Sequence, residues 1–145
     1  MPVDAKYLRK FHCFEDLTDE QRQAVAALAE AKCFYPGHSL FEENAPGAYL
    51  YLLVDGEVEV LYTIGESGPA RVDRMGAGDI LGCSSLVPPY EHTSTTRSLT
   101  KIDVLAVDAK RLRELMKVDC PLGFSIQQHL MISLMDQIIN FRLGA

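Results

Sequence analysis

Eight of the chain's ten glycines fall between Gly37 and Gly82, so this stretch of the sequence is cut into segments too short for helices. Between the glycines lie runs of alternating or continuous apolar residues, the pattern of short strands joined by turns. Pro36-Gly37 turns the chain, and Asn44-Ala-Pro-Gly47 reads as a loop. In Tyr49 to Val54 apolar residues occupy every position, which predicts a strand buried on both faces. Asp55-Gly56 reads as a hairpin turn. Glu57 to Tyr62 alternates polar and apolar residues, as a half-exposed strand should. A further turn at Gly65 to Gly68 leads to a returning strand at Arg71 to Met75. Thr93 to Ser98 and Ile102 to Val107 complete the set. This many short strands predicts a mainly β domain, a jelly-roll barrel.

Helical patterns flank the β region. Asp16 to Lys32 reads as one helix, with Thr18 to Gln21 as its capping box and Val25 and Leu28 on its apolar face. Tyr7, Leu8, Phe11 and Phe14 form a short helical element before it. Asp108 caps a helix that runs through Lys117. Pro121 then opens a longer one, where its missing N–H costs nothing. The expected division is a single domain over 1–145. Its helices occupy 1–33, the jelly roll 34–108 and the C-terminal helices 109–145.

The last helix is unusually apolar. From Cys120 to Ala145, 14 of 26 residues are apolar and only Asp136 and Arg142 are charged. Ile126, Leu130, Leu134 and Ile138 make one stripe at i, i+4 spacing, and Met131, Met135 and Ile139 make a second. One stripe suffices to cover the β core. The other marks an interface, so a homodimer through this helix is expected.

Charge and cysteines exclude several classes. With 14 Lys+Arg against 20 Asp+Glu the net charge is −6, and the basic residues are scattered, so direct nucleic-acid binding is not expected. The longest apolar run, Ala48 to Val54, is strand-sized, and no membrane span or signal peptide is expected. Cys13, Cys33, Cys83 and Cys120 form no close pair, so free thiols in a reducing cytoplasm are expected, and no metal. His12, His38 and His129 show no ligand spacing and read as structural. No nucleophile–base pair and no His-x-His motif appears, so no enzyme is expected.

One constellation carries chemical information. Gly76-Ala-Gly-Asp-Ile-Leu-Gly-Cys-Ser-Ser-Leu86 brings three glycines up to a short helical stretch, followed by Pro88-Pro89. Glycines admit a ligand close to the backbone, and a helix start aims free N–H groups at an anion. Before it stands Val54-Asp-Gly-Glu-Val58, and after it a strand ending Leu105-Ala-Val107, then two helices. This order resembles the cyclic nucleotide-binding domain of the cyclic AMP receptor protein and of protein kinase A regulatory subunits. The resemblance covers about Phe14 to Leu143, with the 78–93 segment as phosphate cassette.

In that family the cassette reads Gly-Glu-x-Ala/Ser-Leu, followed by an Arg. The Glu accepts the ribose 2′-hydroxyl and the Arg pairs with the cyclic phosphate. Carried over, Gly82, Ser85 and Leu86 match. Cys83 stands where the Glu would be, and His92, followed by Thr93, where the Arg would be. Gly82-Cys-Ser-Ser-Leu-Val-Pro-Pro-Tyr90 is similar to a bacterial subset with a remodelled pocket, and Tyr90 of this chain is expected to fold over the site. The resemblance therefore implies a candidate ligand site of Gly82, Cys83, Ser84, Ser85, Leu86, His92 and Thr93. Ile126, Leu130 and Leu134 form the capping or dimer helix. Arg97, five residues past His92, faces the opposite way on a regular strand. Cys83 at a helix start is a candidate for a lowered thiol pKa and redox sensitivity. No cofactor is implied beyond a cyclic nucleotide or other small anion as ligand.

Two functions follow from this. One is a stand-alone sensor that binds a cyclic nucleotide weakly, or another anion, and signals through the C-terminal helix. The other is a degenerate, ligand-free domain that acts through dimerisation and a protein partner. A transcription factor of the cyclic AMP receptor type would carry a helix-turn-helix after the long helix, and the sequence reaches only Ala145.

Overall fold

The computed structural model describes residues 3–63 and 69–144. Helix α1 spans Asp19–Ala26 and is followed by strands β1 (Ala29–Phe34), β2 (Ser39–Phe41), β3 (Tyr49–Asp55) and β4 (Glu57–Thr63). Then come β5 (Pro69–Gly76), β6 (Ile80–Leu81), β7 (Thr95–Ser98) and β8 (Ile102–Asp108). Helices α2 (Ala109–Val118) and α3 (Cys120–Gly144) close the chain. Short 3-10 helices occupy Ala5–Lys10, His12–Phe14 and Cys83–Leu86.

The strands form two four-stranded sheets, ordered β1-β8-β3-β6 and β2-β7-β4-β5, with antiparallel pairing throughout. This is the expected jelly roll with flanking helices. The β3 strand explains how the layers stack. Its Tyr51 and Leu53 face into the roll, with Val58, Leu81, Ile102, Val104 and Ala106. Its Leu50 and Leu52 face the opposite way, into a cluster with Leu105, Val107 and the helices. Successive strand side chains alternate faces, so a strand apolar at every position is covered twice.

The helix-side cluster joins both ends of the chain. Leu8, Phe11, Phe14 and Leu17 pack with Leu112, Leu122, Ile126 and Leu130. The Thr18 capping box forms as expected, with both reciprocal bonds present. Arg22 is buried because its guanidinium has fixed acceptors: it donates to the carbonyls of Phe14, Glu15 and Leu17 and pairs with Asp19 at 2.7 Å. Arg22 and Arg9 hold the exposed Asp19 carboxyl below its usual range. Asp108 caps α2 by accepting from the Arg111 N–H at 3.0 Å. Asp119 does the same for α3 through Leu122 N–H, at 3.1 Å.

Three expectations are corrected. The helix read over Asp16 to Lys32 ends at Ala26, and the chain is already a strand from Ala29, so the helical N-terminal region stops short of residue 33. Alanines at 26, 27, 29 and 31 fit either conformation, and an unbroken ladder from Ala29↔Val107 to Phe34↔Ile102 selects the strand. Asp55-Gly56 is not a hairpin. The β3 strand pairs with β6 and β8, whereas β4 pairs with β5 and β7, so the turn is a corner that carries the chain from one sheet to the other. Gly56 takes φ +99°, and a Cβ there would lie 2.5 Å from the Lys101 carbonyl oxygen.

The third correction concerns the stripes of α3. They do not divide into one covered and one bare row. Ile126 and Leu130 are in the core, but Leu134 and Ile138 of the same stripe are exposed beside Met131, Met135 and Ile139. Every residue from Met131 to Ile139 is exposed, so α3 runs past the end of the body that covers its first turns. The turn read at Gly65 to Gly68 lies outside the described residues.

Candidate ligand-binding cassette

The cassette enters through a turn fixed on both sides. Gly78, at φ +96°, donates its N–H to the Leu53 carbonyl at 2.9 Å, and Leu53 donates back to the Asp79 carbonyl at 3.0 Å. The Asp79 carboxylate accepts from Gly76 N–H at 2.8 Å. Strand β6 then pairs with Tyr51 and Leu52, which places Gly82 against the roll.

Gly82 has φ +80°, and a Cβ on it would lie 3.2 Å from both His92 Cε1 and the Tyr49 carbonyl oxygen. Its freedom from a side chain is what lets the ring of His92 approach. The Cys83–Leu86 helix follows. Ser85 is fully buried and acts as its strut: its N–H and its hydroxyl both donate to the Gly82 carbonyl, at 3.0 and 2.7 Å. Gly47 packs directly on it, since a Cβ there would meet Ser85 Cα at 2.7 Å.

His92 is 3% exposed. Its ring stacks on Phe41 with centroids 3.8 Å apart and an interplanar angle of 16°. Its Nδ1 lies 3.2 Å from Ser84 Oγ. Its backbone is pinned to the Asn44–Pro46 loop, with N–H to the Ala45 carbonyl at 2.9 Å and its own carbonyl accepting from Asn44 at 2.8 Å. Burial lowers the imidazole pKa below its ordinary 6.5, so the ring is neutral at pH 7.

The structure separates the expected cassette residues into two groups. Ser84 and His92 come together on the roll side, beside Phe41. Cys83 and Leu86 pack instead against the helix-side core. Burial pushes the Cys83 thiol up to about 11, opposite to the expectation from a helix start, and the thiol stays protonated. Thr93 is exposed. Ile126 and Leu130 sit in the helix-side core, and Leu134 lies further out along α3 in the open. Arg97 alternates outward on β7, as expected, with its guanidinium 3.9 Å from Glu59.

Two residues that sequence reasoning missed organise the site. Phe41, from β2, supplies the surface on which His92 lies. Arg113, from α2, donates to the Ser85 carbonyl at 2.6 Å, and its guanidinium carbon sits 3.9 Å from the centre of the Tyr90 ring. Tyr90 therefore covers an arginine rather than an open pocket. Neither residue gives a local signal: both are placed by pairing between distant segments.

Chemically, the cassette offers a neutral donor set. The segment 78–93 contains no Lys or Arg. Its donors are the Ser84 hydroxyl, the imidazole and the first amides of the Cys83–Leu86 turn, which have no intrahelical acceptor. No helix among the described residues is long and apolar enough to cross a membrane.

Comparisons with known proteins agree with this architecture. The family model of the cyclic nucleotide-binding domain matches residues 31–119. The CRP-like cAMP-activated global transcriptional regulator of Mycobacterium tuberculosis is 29% identical over 93 residues, 62% of this chain and 42% of that protein. The chain thus spans less than half the length of this curated relative. A crystal structure from Geobacter metallireducens, provisionally assigned as a cyclic nucleotide-binding protein, is similar with a TM-score of 0.85. It is 31% identical, over 94% of this chain and 98% of that one. A cyclic nucleotide-binding domain from Methylobacillus flagellatus shares the fold at 20% identity, with a TM-score of 0.83 over 97% of this chain and 83% of that one. By the family match over most of its length and the site built on it, the chain belongs to the cyclic nucleotide-binding domain family.

Proposed function

We propose that this domain is a non-enzymatic regulatory sensor that binds a cyclic nucleotide weakly, or another small anion, in the cassette and signals through α3. The observation that carries this reading is the contact of His92 with Ser84, at 3.2 Å, in the place where the family resemblance puts an arginine beside the cassette helix. The Mycobacterium relative is named as cAMP-activated, which gives the ligand class. Weak binding follows from the chemistry. A thiol replaces the ribose-binding carboxylate and a neutral imidazole replaces the guanidinium. Hydrogen bonds to charged groups contribute about 1.5–3 kcal/mol each, so two lost contacts reduce affinity by at least roughly a hundredfold.

An anion on the Ser84 hydroxyl and the cassette amides favours the protonated form of His92. Arg113 ties the carbonyl of Ser85 to α2, and α2 packs on α3, so a shift of the cassette reaches the last helix. The ligand must bind one arrangement better than the other for this to signal. We place the protein in the cytoplasm, with cyclic AMP or cyclic GMP as the first ligands to test. It acts as a homodimer through α3 and does not contact nucleic acid directly. The exposed row of Met131, Leu134, Met135, Ile138 and Ile139 supports the dimer and also favours a second reading, a ligand-free interaction module.

The test is restoration. In the His92→Arg variant, which returns a guanidinium to the roll side of the cassette, calorimetric affinity for cyclic AMP should rise by about tenfold or more over the wild type. Equal, undetectable binding in both proteins would favour the ligand-free module.

A further inference from the structure

Outside the cassette, one group of side chains has the composition of a metal site. Ligand atoms of Glu15, Asp16 and His129 all lie within 4.8 Å of one another. We propose that these three residues bind a first-row divalent cation, zinc by the chemistry of the donors. The residues come from opposite ends of the chain. Glu15 and Asp16 lie in the turn after the His12–Phe14 helix, and His129 lies on α3. The imidazole Nε2 is 2.7 Å from Asp16 Oδ2, across 113 residues of sequence.

Three features make this more than an exposed ion pair. First, the imidazole is preorganised. Its flanking residues Ile126 and Leu130 are buried in the helix-side core, which fixes that turn of α3, and the His129 side chain is only 19% exposed. Second, no Lys or Arg among the described residues pairs with this negative charge. Among the described residues the carboxylates of Glu15 and Asp16 pair only with imidazoles, Glu15 with His12 at 3.4 Å and Asp16 with His129. Third, the donor set is mixed. An imidazole with two carboxylates suits zinc, which takes nitrogen and oxygen ligands in a tetrahedron. Bond lengths near 2.1 Å put neighbouring ligand atoms roughly 3.4 Å apart. The present spacing therefore needs only small rotations, and His12 or water supplies the fourth ligand.

The cation would cross-link the N-terminal turn to α3 one residue before Leu130, the last buried position among the described side chains of the helix. It would hold the base of the projecting segment from Met131 to Ile139. This control on α3 is independent of the cassette.

The experiment uses the tag-free chain with Cys33→Ser and Cys120→Ser, because these two exposed thiols are themselves zinc ligands. Titration with zinc chloride, followed by calorimetry and thermal melting, should show one zinc per chain and a melting temperature raised by several degrees, with magnesium producing neither. Glu15→Gln leaves the Asp16–His129 contact in place, so it separates metal binding from the ion pair. Its zinc affinity should fall by about tenfold or more, and His129→Gln should abolish binding. If His129→Gln fails to fold, the Glu15→Gln result decides. No zinc binding at millimolar concentration, or equal affinity in wild type and Glu15→Gln, would overturn the proposal. No nucleotide enters the experiment, so its outcome is separate from that of the cassette.

Discussion

Arg113 on α2 donates a 2.6 Å hydrogen bond to the carbonyl of Ser85, the buried residue of the cassette helix. The Tyr90 ring lies over the same guanidinium. One side chain thus joins the cassette, the loop that follows it and the first C-terminal helix. A charged hydrogen bond of this kind contributes about 1.5–3 kcal/mol. The Arg113→Ala variant should therefore lose about 1–3 kcal/mol of stability in urea unfolding. Arg113→Lys should recover part of it, because an ammonium keeps the charge but loses the planar stack on Tyr90. Equal stability of Arg113→Ala and wild type would show that the link carries no energy.

The corner at Gly56 has no room for a side chain. A Cβ would meet the Lys101 carbonyl oxygen at 2.5 Å and Ile102 Cγ2 at 2.6 Å, at a backbone φ of +99°. Gly56→Ala should destabilise the domain by at least about 2 kcal/mol through strain and overpacking together. At Gly37 the φ is similar, +83°, but a methyl group there would meet nothing within 4 Å, so Gly37→Ala should cost less. The denaturation midpoints of the two variants give the comparison directly.

The four cysteines should divide by reactivity. Cys33 and Cys120 are exposed. Cys83 is held up at about 11, and the buried Cys13 is raised further, in both cases mainly by loss of water around the thiolate. Alkylation of the folded protein at pH 8, followed by mass spectrometry, should label Cys33 and Cys120 first. Rapid labelling of Cys83 would contradict its placement against the helix-side core.

His92 makes a signed prediction about pH. Its folded pKa lies below 6.5, because burial disfavours the charged ring. Below pH 6.5 the unfolded chain therefore binds more protons at this position than the folded one. Stability from His92 is complete above that pH and falls as the pH drops toward the folded value. The difference in melting temperature between wild type and His92→Gln should accordingly shrink from pH 8 to pH 5.5. A difference that grew on acidification would mean that the folded state favours the charged ring.

Much of this fold was legible in the sequence, because glycine spacing and apolar runs are local signals. The Thr18 capping box, the doubly covered β3 and the caps of α2 follow from residues a few positions apart. What was missed depends on partners far away in the chain. Ala29 to Phe34 becomes a strand only because β8 pairs with it. Asp55-Gly56 looks like any hairpin turn until the partners of β3 and β4 are known. The Gly82–Leu86 motif singled out the candidate cassette, but no pattern announced that Phe41 would carry His92 or that Arg113 would reach Ser85. His129, read as structural, gained its carboxylate neighbours only through the packing of α3 on the N-terminal turn.

The most direct measurement is the thermal stability of the purified domain with and without millimolar cyclic AMP and cyclic GMP, at pH 6 and pH 8. A ligand at 100 times its Kd raises stability by about 2.7 kcal/mol, several degrees for a domain of this size. A sensor that uses His92 in place of an arginine predicts an upward shift at pH 6 that shrinks at pH 8. No shift with either nucleotide at either pH would contradict the account and leave a cassette that takes no nucleotide.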